Sequence, residues 1–426
     1  MRQKGRIEFV TSDSTWNEGF AWAKGQALAY SHEGDLVGDW YEAALPNRQA
    51  FCMRDVAHHA RGAEALGLAS HTKNMLLRFA QGIAESRQFC SFWEIDKDYR
   101  PCPVDYASDQ DFWYNLPANF DVMDACWRMY EMTGDKDYLF QSDFVRFYRL
   151  TVEDYAKWWD CDGDGLLERK YPVTRLGIPS YCEDEQFQNA QALIDLLAIE
   201  IRGYQSAAEL FGHRGEETES AHCRQMAQKL KRLLQEQWWD EKVQSYYQLK
   251  DENGVLQHSS GIGHELSLCY YQVIENEERL AKHLERLHEE AQKGVNVESL
   301  SHYPVLFYKN GQPQRGAQWL KEVISPKLFR REYPEVSYAA VEAFIYEMAG
   351  VCPDGPQAAV RISPKLPEEI AWFRIKNLPF LEGELDISFE EGMLSVTNRT
   401  GRAIQVNESR LEENGSIIVN AKNSVV

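Results

Sequence analysis

Two acidic stretches contain the side chains best suited to acid–base chemistry. The segment SYCEDEQ (180–186) carries Glu183, and the segment FRREYPEVSY (329–338) carries Glu332 and Glu335. General acid–base catalysis needs one carboxylic acid that donates a proton and a second carboxylate that accepts one. We therefore predict Glu183 as the general acid and Glu335, or Glu332 in its place, as the base.

The immediate neighbours leave alternatives open in both segments. Asp184 and Glu185 are alternatives to Glu183 as the acid and are otherwise expected to contact substrate, while Glu185 also suits a helix cap. Two arginines within the second segment, Arg330 and Arg331, suit salt bridges with its glutamates. We place Glu335 first because it directly precedes the last predicted helix.

A third stretch, FCMRDVAHHARGAEALG (51–67), places Arg54 and Asp55 side by side at the start of a predicted helix. The helix dipole and free N–H groups favour Asp55 in a first turn, but they give no reason for an arginine there. If this helix lines a cavity, the pair offers donors and acceptors suited to two adjacent sugar hydroxyls. His58 and His59 follow within one turn, and a buried core histidine is the more ordinary interpretation of either.

Aromatic side chains are concentrated in the long connections between predicted helices. The chain has 12 Trp and 21 Tyr. Aromatic rings offer flat apolar walls for the C–H face of a sugar, while carboxylates and amides bind its hydroxyls. We predict further substrate contacts from Trp40, Trp113, Asn115 and Tyr333, each of which could instead pack beneath a loop.

The segment DCDGDGLLE (160–168) raises the question of a metal. Asp160, Asp162 and Asp164 alternate as in calcium loops, but a full twelve-residue loop needs a carboxylate where Tyr171 stands. A tight turn fits the pattern better. We therefore predict no metal and no other cofactor.

Composition restricts the partners and the compartment. The formal net charge of -20 argues against nucleic acid and anionic membranes, so we expect a small neutral carbohydrate as ligand. The nine cysteines form no C-x-x-C pair, the first residues lack the apolar run of a signal peptide, and no stretch is long enough to span a bilayer. We expect a reduced, cytoplasmic protein of unknown oligomeric state.

Periodicity divides the chain at about residue 350. Before it, about twelve helical stretches follow one another between Gly- or Pro-marked breaks. Amphipathic hairpins in that number need neighbours on both sides to cover their apolar faces, which predicts an all-α domain over 1–350, built as a closed ring of hairpins. Residues 351–426 alternate with period two and predict a small β domain, which we interpret as a structural sheet rather than a carbohydrate-binding module.

These features resemble the six-hairpin, or (α/α)6-barrel, glycosidase superfamily, which includes glucoamylases, trehalases and α-L-rhamnosidases. The resemblance covers about residues 14–350, and four stretches carry it: 51–67, 158–168, 177–194 and 331–344. It implies an exo-acting glycoside hydrolase that releases a terminal neutral sugar, with Arg54 and Asp55 holding that sugar as a similar pair does in glucoamylases. The chain lacks the large N-terminal β-sandwich of many relatives.

Two other functions fit the same fold. Sugar epimerases and isomerases use histidines as acid and base, for which His264 and His302 are available, although no stretch matches the His-rich motif of those enzymes. The other alternative is a catalytically silent sugar-binding protein. Substitution of the glutamates or of the histidines distinguishes the two enzymes.

The order of the helices also predicts the stereochemistry. Glu183 precedes the sixth predicted helix and Glu335 the twelfth, so in a closed ring they approach the centre from opposite sides. Carboxylates on opposite sides of a sugar leave room for a water molecule on its far face. We therefore expect hydrolysis with inversion.

Overall fold

The computed structural model describes residues 4–170, 177–183, 187, 189–259 and 265–420. Among the described residues, helices dominate the first 350 positions and strands dominate the rest. The helices are α1 (Ser14–Ala29), α2 (Met53–Ala65), α3 (Ala69–Gly82), α4 (Ala118–Thr133), α5 (Asp137–Phe140), α6 (Ser142–Leu150), α7 (Ala156–Trp159), α8 (Ile194–His213), α9 (Glu217–Glu236), α10 (Leu266–Tyr270), α11 (Glu277–Ala291), α12 (Val297–Lys309), α13 (Pro313–Ile324) and α14 (Pro334–Glu342). A 3-10 turn spans Glu85–Arg87, and π-helical turns span Thr151–Tyr155 and Ala343–Met348.

Six of the described helices contact one another in a closed cycle. Helix α2 packs on α4, α4 on α8, α8 on α10, α10 on α12, α12 on α14, and α14 on α2. Helices α1, α3, α9 and α13 pack outside this cycle, against α14, α2, α8 and α12 respectively. None of the helices in the described ranges is both long enough and apolar enough to cross a membrane.

Short strands occupy many of the connections, which the sequence pattern did not indicate. They are β1 (Glu8–Thr11), β2 (Ser31–Asp35), β3 (Gly38–Tyr41), β4 (Ala50–Cys52), β5 (Glu94–Asp96), β6 (Tyr106–Ser108), β7 (Asp111–Phe112), β8 (Tyr114–Asn115), β9 (Gly177–Ile178), β10 (Ala190–Leu193), β11 (Trp239–Asp240), β12 (Ser245–Tyr246), β13 (Leu249–Asp251) and β14 (Leu256–Gln257). Strands this short give too few residues for a period-two signal. The pair β4–β5 matters most for the site, because α2 begins directly after β4.

The C-terminal region forms two sheets from β15 (Val351–Asp354), β16 (Ala359–Ile362), β17 (Trp372–Phe380), β18 (Gly383–Glu390), β19 (Met393–Arg399), β20 (Ile404–Val406), β21 (Ser409–Leu411) and β22 (Ser416–Asn420). The larger sheet has the order β1-β17-β18-β19-β22, so the N-terminal strand completes it. The smaller sheet has the order β15-β16-β20-β21.

One hydrophobic core joins the sheets to the helices. Phe9 on β1 contacts Phe20 on α1, Phe344 after α14 and Phe373 on β17, with ring centroids 5.2, 5.3 and 6.0 Å away. All four rings are almost completely buried. This shared core agrees with a structural role for the β region.

Helices α2 and α14 approach each other closely where they close the cycle. A Cβ added to Gly62 on α2 would lie 2.1 Å from the carbonyl oxygen of Tyr338 on α14. No real side chain fits at that distance, so the contact requires glycine. By contrast, a Cβ added to Gly25 on α1 meets nothing within 4 Å.

We predict that Gly62→Ala lowers the free energy of unfolding by roughly 1–3 kcal/mol, because the two helices must separate. Gly25→Ala is the matched control and should raise it by roughly 0.5–1 kcal/mol, because alanine loses less backbone entropy in a helix. Urea denaturation followed by circular dichroism measures both. Equal stability of Gly62→Ala and the wild type would contradict the close contact.

Candidate active site

A cavity of about 610 Å³ opens where the inner helices α2 and α14 begin. Its wall also includes α10, α12 and parts of the loops before α2, after β5 and before β10. Five of the residues predicted from the sequence line it: Arg54, Asp55, Glu183, Tyr333 and Glu335. The structure thus brings the three predicted segments together.

Other predicted residues lie away from this cavity. Trp40 is 1% exposed, its ring stacks on His32, and its Nε1–H donates to Asp35 at 2.7 Å. Trp113 is half-buried and packs against the hydrophobic core. The side chains of these two tryptophans therefore pack within the protein, away from the cavity.

The remaining predicted residues lie either outside the cavity wall or outside the described part of the chain. Asn115 is buried, and its side-chain amide donates to the carbonyl oxygen of Ser180 at 3.0 Å. Glu332 is exposed and does not line the cavity. Asp184, Glu185 and His264 lie outside the described residues.

Arg54 connects α2 to the loop that carries Glu183. Its Nη1–H donates to the carbonyl oxygen of Tyr181 at 2.9 Å, and its Nε lies 3.3 Å from Asp55 Oδ1. Its Nη2 lies 3.9 Å from Glu183 Oε1, and its guanidinium carbon lies 5.2 Å from the ring centroid of Trp93. Arg54 is therefore partly committed to holding the loop, which leaves fewer of its donors for a sugar than the sequence suggested.

Two carboxyl groups in the cavity, those of Glu335 and Asp55, differ in pKa. Burial, together with the negative charge of Asp55, raises the pKa of Glu335 to about 8. Burial also raises the pKa of Asp55, but the adjacent Arg54 opposes this, so that it reaches about 6. At neutral pH, Glu335 therefore carries a proton while Asp55 is ionised. Such a separation of pKa values is typical of acid and base pairs in enzymes.

A hydrogen-bonded group below the Glu183 loop centres on Asp121 of α4. The hydroxyls of Tyr181 and Tyr271 donate to Asp121 Oδ1 at 2.6 and 3.0 Å and lie 2.8 Å from each other. Burial raises the pKa of Asp121 to about 8. Tyr181 thereby fixes the chain two residues before Glu183, a role that sequence reasoning missed.

Two histidines from different helices also reach the cavity. The rings of His58 on α2 and His302 on α12 meet edge to face, with centroids 4.7 Å apart. Burial lowers the pKa of His58 well below its ordinary value and lowers that of His302 to about 4. Both imidazoles are therefore neutral at pH 7. The neighbouring His59 is 1% exposed and stacks on Tyr338, as expected for a core histidine.

Glu298 is a further cavity residue that the sequence reasoning did not select. It lies in the first turn of α12, as Asp55 does in α2 and Glu335 in α14. An acidic residue in the first turn of an inner helix was therefore an available signal. It is a weak one, because the helix dipole favours such residues at any helix start.

The acidic turn at 160–168 contacts a lysine side chain from strand β13. Oxygen atoms of Asp160, Asp162 and Asp164 lie within 4.8 Å of one another, the one such group among the described residues. The ammonium group of Lys250 lies 2.7 Å from Asp162 Oδ2 and bonds to Glu168. Charge neutralisation by Lys250 fits a tight structural turn.

We predict that Glu335 makes stability depend on pH. Its folded pKa of about 8 lies above the ordinary value of 4.5, so its contribution is fully present below pH 4.5 and is lost as pH rises towards 8. Glu335→Gln removes this titration. The free energy of unfolding of that variant should therefore gain on the wild type between pH 4.5 and 8, by at most about 1.4 kcal/mol per pH unit.

Denaturant titrations at several pH values measure this difference. The exposed Glu332 gives the control, since Glu332→Gln should follow the wild type throughout. A constant difference between Glu335→Gln and the wild type across the range would contradict the raised pKa of Glu335.

Comparisons with known proteins identify solved structures of similar fold. No family model and no curated protein matches the chain. Among solved structures, it is similar to a GH78 family rhamnosidase of Bacillus sp. GL1, with TM-score 0.64 and 14% identity over 93% of this chain and 41% of that one. It is also similar to an α-L-rhamnosidase from Aspergillus terreus, with TM-score 0.65 and 12% identity over 99% of this chain and 50% of that one.

A third similar structure is a protein assigned as kojibiose phosphorylase from the human microbiome, with TM-score 0.63 and 9% identity over 98% of this chain and 63% of that one. The chain thus spans 41–63% of the length of these three structures. At such identities the likeness concerns the fold alone. At that level, these structures share the overall fold of the chain, as the resemblance noted in its sequence led us to expect.

Proposed function

We propose that the protein is an exo-acting glycoside hydrolase that releases a terminal neutral sugar with inversion. The observation that carries the proposal is Glu335, which burial and the neighbouring Asp55 keep protonated at neutral pH, in one cavity with the half-exposed carboxyl group of Glu183. Hydrolysis of a glycoside needs one protonated and one ionised carboxyl group at the same pH. The rhamnosidases of similar fold support this reaction class.

The architecture we propose is an (α/α)6 barrel with the cavity at one end. The closed cycle of inner helices supports it. Two turns further along the helices from the cavity, charged side chains of neighbouring helices pair: Arg61 on α2 lies 2.7 Å from Glu342 on α14. We propose that this pair, whose Glu342 is buried, closes the inner end of the cavity and makes it a pocket, which suits removal of a terminal sugar.

The charges in the cavity favour an uncharged sugar. Six acidic residues line it, Asp55, Glu94, Asp105, Glu183, Glu298 and Glu335, against the two arginines Arg48 and Arg54. An anionic sugar would meet net repulsion there. This extends the expectation drawn from the charge of the whole chain.

We assign the proton donor to Glu335 and the base to Glu183, the reverse of the roles expected from the sequence. Glu335 is protonated at neutral pH because it is desolvated and faces Asp55. The side chain of Glu183 is 50% exposed and lies beside the cation Arg54, so it has access to water. Asp55 contributes the negative charge that helps Glu335 to keep its proton.

Inversion follows from the places of these two residues in the ring. Glu183 precedes α8 and Glu335 begins α14, and in the contact cycle these helices are three positions apart among six. They therefore approach the cavity from opposite sides. This favours a separation that admits a water molecule, roughly 6.5–9.5 Å, over the shorter distance of a retaining pair.

A second candidate function is sugar epimerisation, which the His58–His302 pair favours. Two neutral imidazoles in contact with one cavity can take and return a proton next to a carbonyl group. In that reaction, histidine substitutions would abolish turnover and glutamate substitutions would be tolerated. The same variants therefore separate the two candidates.

We predict distinct kinetic signatures for the two glutamates. Glu335→Gln should lose activity on methyl glycosides but keep most of it on 2,4-dinitrophenyl glycosides, whose leaving group needs no proton. Glu183→Ala should lose activity on both, and azide should restore it by replacing the activated water. The opposite pattern would return the roles to those expected from the sequence, and loss only in His58 and His302 variants would favour the epimerase.

We predict that Asp55→Ala folds normally but loses about a hundredfold in kcat/KM, because a charged contact worth roughly 3 kcal/mol is lost. The variant should also move the alkaline limb of the pH profile to lower pH, since Glu335 loses the charge that raises its pKa. Asp55→Asn should show the same shift, and circular dichroism checks the fold. An unchanged alkaline limb would contradict the coupling.

We predict that proton NMR of the first-formed sugar, recorded before mutarotation, shows the anomer opposite to the substrate. The assay is run with and without inorganic phosphate, because one structure of similar fold is assigned as a phosphorylase. Release of sugar without phosphate is expected. A retained anomer would reject the pairing of Glu183 with Glu335, and dependence on phosphate would replace hydrolysis by phosphorolysis.

A further inference from the structure

Two apolar side chains at the cavity are unusually exposed. Leu45 is 50% and Val104 is 70% exposed, and both line the cavity. The rest of the wall is mainly polar or buried. Exposed aliphatic side chains beside a polar pocket leave apolar surface in contact with water, which a ligand can cover.

The two loops that carry these side chains are held together. Arg48, three residues after Leu45, donates its backbone N–H to the Leu45 carbonyl oxygen at 3.2 Å. Its Nη2 lies 2.7 Å from Glu94 Oε2 and 3.7 Å from an oxygen of Asp105, the residue after Val104. Arg48 thus ties the backbone segment of Leu45 to the segment of Val104, and both residues line the same cavity.

The β4–β5 pairing reinforces this arrangement. Cys52 pairs with Glu94, and Phe51 pairs with Ile95, which ties the loop before α2 to the strand that precedes the Val104 loop. A surface fixed in this way loses little entropy when it binds. Leu45 and Val104 therefore form a preorganised apolar surface.

Aromatic rings that could stack on a second sugar are mostly covered here. Trp93 and Tyr333 line the cavity but are only 8% and 9% exposed. A sugar in the leaving-group position needs an exposed ring face or hydroxyl partners. Leu45 and Val104 offer neither.

Resting on the hydrolase function above, we propose that Leu45 and Val104 form an apolar subsite for the leaving group. The substrates are then glycosides of an apolar alkyl or aryl alcohol rather than oligosaccharides. In an exo-acting pocket the sugar occupies the interior, so its leaving group lies at the mouth, where exposed side chains can contact it.

The test compares octyl and methyl glycosides of one sugar, used below their critical micelle concentrations. The two leaving groups have similar acidity, so they differ mainly in apolar surface. For the wild type, kcat/KM should be at least about tenfold higher for the octyl glycoside, as expected for burial of several methylene groups. In Leu45→Ser/Val104→Ser the ratio should fall to near one, because kcat/KM for the octyl glycoside falls much more than kcat/KM for the methyl glycoside.

The chain offers a matched control in Leu36 and Val243. They are 75% and 59% exposed and do not line the cavity. Leu36→Ser/Val243→Ser should keep the wild-type preference for the octyl glycoside. Equal use of octyl and methyl glycosides by the wild type, or loss of the preference in the control as well, would overturn the apolar subsite.

A failure of the apolar subsite can be distinguished from a failure of the proposed hydrolase function. If neither glycoside is hydrolysed, isothermal titration calorimetry measures their binding instead, with glucose, mannose and rhamnose as the sugar. Tighter binding of octyl than methyl glycosides that Leu45→Ser/Val104→Ser abolishes would support the subsite without hydrolysis. Absence of that preference would overturn it. The single variants Leu45→Ser and Val104→Ser, each with a smaller expected loss, serve if the double variant does not fold.

Discussion

The candidate site depends on one cation, Arg54, placed where three segments meet. Its guanidinium group bonds to the Tyr181 carbonyl, pairs with Asp55 and lies against Trp93. A guanidinium group that is only 20% exposed must recover the hydration it loses through such contacts. The position of the Glu183 loop relative to α2 is therefore fixed by an electrostatic requirement rather than by apolar packing.

The direction of the helices adds a second constraint. Its effect on the ionisation of an acidic residue is opposite to the effect of burial. Helices α2, α12 and α14 start at the cavity, each with an acidic residue in the first turn. The helix dipole favours the ionised form of such a residue by roughly 0.3–1 kcal/mol. At Glu335 the cost of desolvation is larger, since its pKa rises to about 8. Burial, rather than the dipole, therefore determines which carboxyl group holds a proton.

The sequence predicted the general architecture because periodicity is a local property. It also located three of the segments that meet at the cavity, since charged residues at helix starts are visible in a single chain. It did not identify Trp40 as a core residue, because a tryptophan in a long connection has the same local pattern whether it faces solvent or the interior. Whether Glu332 or Glu335 faces the cavity was decided by Pro334, which begins α14 and places Glu335 in its first turn. The Asp121 group joins α4 to two distant tyrosines, and no short-range pattern encodes such a contact.

The N-terminal strand has a consequence for how the chain folds. Glu8 on β1 pairs with Lys376 on β17, so β1 can join the larger sheet only after more than 360 further residues have been synthesised. Pairing across such a sequence distance is slow, because the ends of a very long loop must first meet. Until then β1 is without its partner, and the apolar face around Phe9 is exposed to other chains. Synthesis therefore includes an interval in which the apolar face of β1 has no partner, until strand β17 (Trp372–Phe380) can pair with it.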